Sequence, residues 1–125
     1  MSFCPSKEDF ETLFKILNFH LFNNSLPELK ILYCSLQKIV ETINYHLEKS
    51  NIFDRHYETV NCFGAYSAIC LDIENKYGKI IGLRIFDDTI MINENTVKKC
   101  IFIFAVATLC HEMIHYAERF EPGFE

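Results

Sequence analysis

The chain has no block rich in lysine and arginine: 12 basic residues stand against 17 acidic ones, for a net charge of −5. A broad phosphate-binding surface is therefore not evident, and charge argues against a stand-alone nucleic-acid binder. No C-x-x-C pair occurs among the six cysteines, so their spacing builds no structural zinc site. The first residues carry proline and acid where a secretory leader would carry a basic start and an apolar run. Scattered thiols without such a leader lead us to expect a cytoplasmic protein with reduced cysteines. The apolar run at residues 100–110 is roughly half the length a membrane span needs, so no membrane association is expected. What the chain does have is apolar mass. Half of its 125 residues are hydrophobic, including twelve Phe and six Tyr. That suffices for one domain, residues 1–125, with its own core.

Read in order, residues 6–23 predict a helix. Ser6 is its N-cap, Glu8 and Asp9 stand in its first turn, and Phe10, Leu13, Phe14, Leu17 and Leu21 form an apolar stripe. Pro27 prevents its continuation, and residues 29–34 predict a strand. Ser35 caps a second helix striped by Leu36, Ile39, Val40, Ile43 and Leu47. Residues 62–73 and 79–86 predict a β-hairpin around the turn at residues 75–78. Asp87-Asp88 reads as another turn, and residues 89–93 as a last strand. Asn93 or Asn95 then caps one long helix over residues 95–120, apolar almost all round from Cys100 to Leu109 and expected to be buried on most faces. Strands grouped between helices predict an α+β fold, with a small antiparallel-rich sheet packed on that long helix.

That last helix contains His111-Glu112-Met113-Ile114-His115, a match to the H-E-x-x-H zinc signature. Residues four apart share one helix face, so His111 and His115 can offer two imidazoles to one Zn²⁺ ion. Glu112 lies around the helix from that pair, where a carboxylate can act as general acid/base toward a water. Placement directly after an anchored apolar run argues against a chance match on a surface helix end.

Three pieces of the chain resemble the SprT-like zincins, the family that includes the Spartan DNA–protein crosslink proteases. Phe22-Asn23-Asn24-Ser25-Leu26-Pro27 is similar to the family's F-N-x-x-L-P, Leu29-Lys30-Ile31-Leu32 to the strand that follows, and the eight residues from Thr108 to His115 to its T-L-x-H-E-M-I-H. Residues 36–57 look like helical sequence added to the family pattern. The resemblance implies a zincin-like fold and a zinc-dependent metalloprotease acting on protein or peptide, with His111 and His115 as ligands and Glu112 as general acid/base. It also implies a link to nucleic acid, which the acidic charge does not support.

The family's third ligand is a histidine in a G-H-G-like element beyond the helix, and no histidine follows His115 here. Three accounts stay open. The chain is a fragment or a shortened relative with two protein ligands; a carboxylate substitutes; or the domain no longer catalyses and serves as a binding module, in a viral or mobile-element setting. Among carboxylates, Glu121 stands six residues after His115, the offset of the third ligand in metzincins, and is taken as the expected ligand. Glu118 and Glu125 are the lesser candidates, the latter through a turn at Gly123. His20, His46 and His56 are too scattered to form a motif and read as ordinary surface or partly buried residues, and Tyr116 reads as solvent-facing.

Overall fold

Ser6 opens the fold by reciprocal capping: its hydroxyl accepts from the Asp9 N–H, and the Asp9 carboxylate accepts from the Ser6 N–H at 2.8 Å. This starts α1 (Lys7–Leu21). The chain continues through β1 (Lys30–Cys34), α2 (Leu36–Lys49), β2 (Gly64–Glu74), β3 (Ile80–Asn93), a single-turn α3 (Glu94–Val97) and α4 (Phe102–Glu118). The structure is a computed structural model that describes residues 5–98 and 101–120. Ser35 caps α2 by accepting from the Lys38 N–H, as its sequence position predicts.

The three strands form one sheet in the order β1-β3-β2. β3 is central, parallel to β1 and antiparallel to β2 over the longer run. Successive side chains of a strand point to opposite faces. Accordingly the Tyr66 ring meets Tyr116 of α4, while Ser67 reaches His46 of α2. Helices α1 and α4 thus cover one face and α2 the other, which bears out a mixed α+β fold. The main core lies under α1 and α4. Phe10 and Phe14 of α1, Ile31 of β1, Ile90 and Ile92 of β3, and Leu109 and Met113 of α4 form one buried cluster. Each large side chain buried there contributes about 1.5–3 kcal/mol of gross stabilisation. Among the described residues no helix is long and apolar enough to cross a membrane.

Four local expectations are corrected. Asp87-Asp88 is not a turn but a β-bulge within a continuous β3. Ser67 pairs with Thr89 and Ile69 with Phe86, so β3 takes one residue more than β2 across this interval. Asp87 accommodates the bulge in the left-handed region, at φ 56°. Residues 89–93 are therefore not a separate strand; they are paired on both sides in the middle of the sheet. The expected single long helix is two: α3 ends at Val97, and Ile101 has the extended backbone of an N-cap before α4 begins. Nor is the long helix buried on most faces. Ile101, Phe102 and Ile103 are 70%, 57% and 65% exposed. Burial follows one stripe only, through Ala105, Thr108, Leu109, Glu112, Met113 and Tyr116.

Candidate active site on α4

The stripe of α4 that packs on the sheet carries Glu112, and the flank beside it carries both histidines. His111 and His115 are exposed, with their rings edge to face and centroids 4.7 Å apart. Their Nε2 atoms stand 3.2 Å apart, a distance that also suits one N–H···N hydrogen bond. Two imidazole nitrogens at zinc-ligand distance in a tetrahedron stand about 3.3 Å from each other. The separation of the two nitrogens thus matches one edge of a zinc coordination sphere.

Among the described residues no third His, Cys, Asp or Glu joins the pair to make a metal-holding group. Glu121, the expected third ligand, lies outside the described residues, as do Glu125 and Gly123. Glu118 is described, and it stands behind the ring: its Oε2 is 3.6 Å from His115 Nδ1, the nitrogen opposite the one turned toward His111. A carboxylate there can orient the imidazole rather than bind the ion itself.

Glu112 is only 6% exposed. Burial pushes its carboxyl above the ordinary range, against the opposing pull of His111 and His115. It borders an open cleft of about 410 Å³ between α4 and the start of β2, whose walls include Phe63, Phe104 and Ala107. Gly64 makes this arrangement possible. A Cβ there would lie 3.0 Å from the Met91 carbonyl, 3.1 Å from Thr108 Cγ2 and 3.3 Å from Glu112 Cγ. Only hydrogen lets α4 approach the strand this closely.

Asn93 fixes the same wall of the cleft. Its backbone N–H donates to the Phe63 carbonyl at 2.8 Å and its side-chain amide to the Cys62 carbonyl at 3.1 Å. Its Oδ1 accepts from the Asn95 N–H and so caps α3. The Cys62 thiol is raised first by burial and then by the nearby Glu112 carboxylate. Reasoning from sequence singled out neither Gly64 nor the bridging role of Asn93. A glycine opening a strand was the available signal for the first.

Tyr116 is corrected from solvent-facing to buried, at 1% exposure, and its hydroxyl donates to the Pro27 carbonyl. Burial pushes its phenol up to about 12. The loop it holds is Phe22 to Pro27, in which Asn23 and Asn24 adopt left-handed backbone at φ 53° and 57°. Asn18 clamps this loop, accepting from the Leu26 N–H and donating to the Leu26 carbonyl at 2.9 Å.

At the far end of α4, Arg119 donates to Asp88 at 2.8 Å, and the same carboxylate accepts a short hydrogen bond from the Tyr66 hydroxyl. His46 is also corrected, from an ordinary surface or partly buried residue to a buried one at 2% exposure, hydrogen-bonded to Ser67 Oγ and to Asp87 Oδ2. It belongs to the opposite face of the sheet and takes no part in the site. His20 is exposed on α1, and His56 lines a groove against α2. Compared with family models, with curated proteins and with solved structures, the chain matches none.

Proposed function

We propose that this chain is a zinc-dependent peptide hydrolase of the SprT-like, zincin-like type. One observation carries the reading: two imidazole nitrogens 3.2 Å apart on one helix, with a buried carboxylate between them in sequence and an open cleft beside it. His111 and His115 would hold the ion through Nε2, and Glu118 would steady His115 from behind. Zinc, when bound, supplies Lewis-acid polarisation of the substrate carbonyl and makes a water acidic enough to attack at neutral pH. The Glu112 carboxylate accepts the proton of the attacking water and returns a proton to the leaving nitrogen. Substrate enters as an extended segment along β2, the edge of the sheet nearest the cleft. Residues 89–93, the part of β3 that precedes the histidine helix, lie between β1 and β2 and have no free edge. The cytoplasmic assignment rests on the thiols: Cys34, Cys62, Cys70 and Cys110 are all free.

The test is cleavage of an unfolded protein by wild type and by Glu112→Gln, with zinc content measured on both. The expected result is about one zinc per chain in each, and a loss of at least about 100-fold in rate for the variant. A second reading is favoured by the lack of a third ligand among the described residues: a domain that keeps the fold and binds polypeptide without cutting it. Under that reading the variant and wild type are equally inert and bind substrate alike.

A further inference from the structure

Phe104, Ala107, His111 and His115 recur every three or four residues and form one stripe along α4. The cleft follows this stripe, apolar between Phe63, Phe104 and Ala107 and polar where it meets His111 and Glu112. Phe63 is half exposed and packs edge to face on Phe104, centroids 4.8 Å apart, so the apolar wall is ordered and still accessible.

The adjoining edge of β2 specifies what lies there. The N–H and C=O of one strand residue point the same way, and successive residues alternate. The Phe63 carbonyl turns inward to Asn93, so the backbone groups of Gly64 and Tyr66 turn outward from the sheet. Cys70 also turns outward, and there Ser50 Oγ covers its N–H at 2.9 Å. Among the described residues the edge is thus closed away from the cleft and open beside it, a template for one extended chain.

We propose that this cleft is a specificity pocket for a large aliphatic or aromatic side chain of an extended polypeptide, two or three residues from the bond cut. This rests on the hydrolase reading above. The spacing follows from the helix: Ala107 and Phe104 precede His111 by four and seven residues, about 6 and 10.5 Å along the axis. A strand advances about 3.4 Å per residue, so it covers that span in two or three residues.

The test needs no catalysis. Fluorescein-labelled seven-residue peptides, identical but for a central Phe or Ser, are titrated into zinc-free protein and followed by anisotropy. The Phe peptide should bind at least tenfold more tightly. Ala107→Trp, at an exposed position, should fill the cleft and bring the two peptides within twofold. Phe63→Ala, also at an exposed position, should weaken only the Phe peptide. Cut sites made by zinc-loaded protein in an unfolded substrate are then mapped by mass spectrometry. Enrichment of apolar residues two or three positions from the cut supports the pocket. Equal affinity for both peptides overturns it, as does cleavage without that enrichment, which leaves the hydrolase reading standing. A Phe preference abolished by Ala107→Trp, with no cleavage by loaded protein, keeps the pocket and overturns the hydrolase.

Discussion

The Tyr116 hydroxyl donates to the Pro27 carbonyl across 3.0 Å, joining the residue after the second histidine to the end of the Phe22–Pro27 loop. The two stretches are 89 residues apart, and both carry the resemblance read from sequence. Their joint appearance has a physical reason: the loop is a buttress for the helix that presents the histidines. Tyr116→Phe removes the donor and leaves the carbonyl without it at a partly buried contact. We expect a loss of about 0.5–1.5 kcal/mol in urea unfolding, with the His111–His115 pair and zinc affinity kept. Unchanged stability would mean that ring packing alone holds the loop.

Asp88→Ala should be the costlier change. Asp88 and Arg119 have side chains only 11% and 21% exposed, and Arg119 Nε already lies buried without a hydrogen-bond partner. Removing the carboxylate strands both the guanidinium and the Tyr66 hydroxyl. Breaking a fully buried pair costs about 3–5 kcal/mol, and the partial exposure of this one places its cost below that. Thermal unfolding should show a clear loss, partly restored by adding Arg119→Leu, which removes the stranded charge. A double variant no more stable than Asp88→Ala would show that the ion pair is not the source of the cost.

Much of this scaffold was legible from local chemistry. Ser6, Ser35 and the hairpin turn near Gly78 each satisfy backbone groups within a few residues, so their signals survive in the sequence. Errors arose where long-range pairing decided the outcome. Asp87-Asp88 has the composition of a turn, but β1 and β2 flank the chain there and convert it to a bulge. His46 and Tyr116 carry polar atoms that suggest exposure, yet Ser67, Asp87 and Pro27 are brought to them by the fold. Periodicity could not divide the apolar run before His111 into Leu109, fully buried, and Ile103, mostly exposed, because every residue in it but Thr108 is apolar. Of the site, the two histidines and Glu112 were readable from spacing; Gly64 was not, since its role is the space it leaves.

Asp87 gives a pH dependence with a definite sign. Burial pushes its carboxyl up, but the His46 hydrogen bond and the Lys30 charge outweigh this and hold it below its ordinary value. A carboxyl lowered in the folded state adds stability above its unfolded pKa of about 3.9, and that stability is lost as pH falls through the lower folded value. Asp87→Asn removes the titration while keeping a residue that tolerates φ 56°. The gap in melting temperature between wild type and variant should therefore be present at pH 6 and shrink toward pH 3. The Asp87 side chain is 30% exposed, so solvent screening keeps the gap small. A gap that widens on acidification would reverse the assignment.

Gly64→Ala tests whether the closeness of α4 to β2 serves the site or only the packing. The added methyl would stand 3.0 Å from the Met91 carbonyl, which belongs to the central strand and is paired on both sides. The strand yields least, so the helix must move, and the atoms it moves are Thr108 Cγ2 and Glu112 Cγ. Overpacking of this kind costs about 1–3 kcal/mol, enough to detect by urea unfolding without abolishing the fold. The displacement acts on Glu112 more than on His111 and His115, which lie on the exposed flank. Zinc affinity should therefore stay within a few-fold of wild type, while cleavage falls by at least tenfold at saturating substrate. If both fell together, Gly64 would be serving the helix as a whole. If neither changed while stability dropped, the close approach would matter to packing alone, and Glu112 would tolerate a looser position than the proposed proton transfer requires.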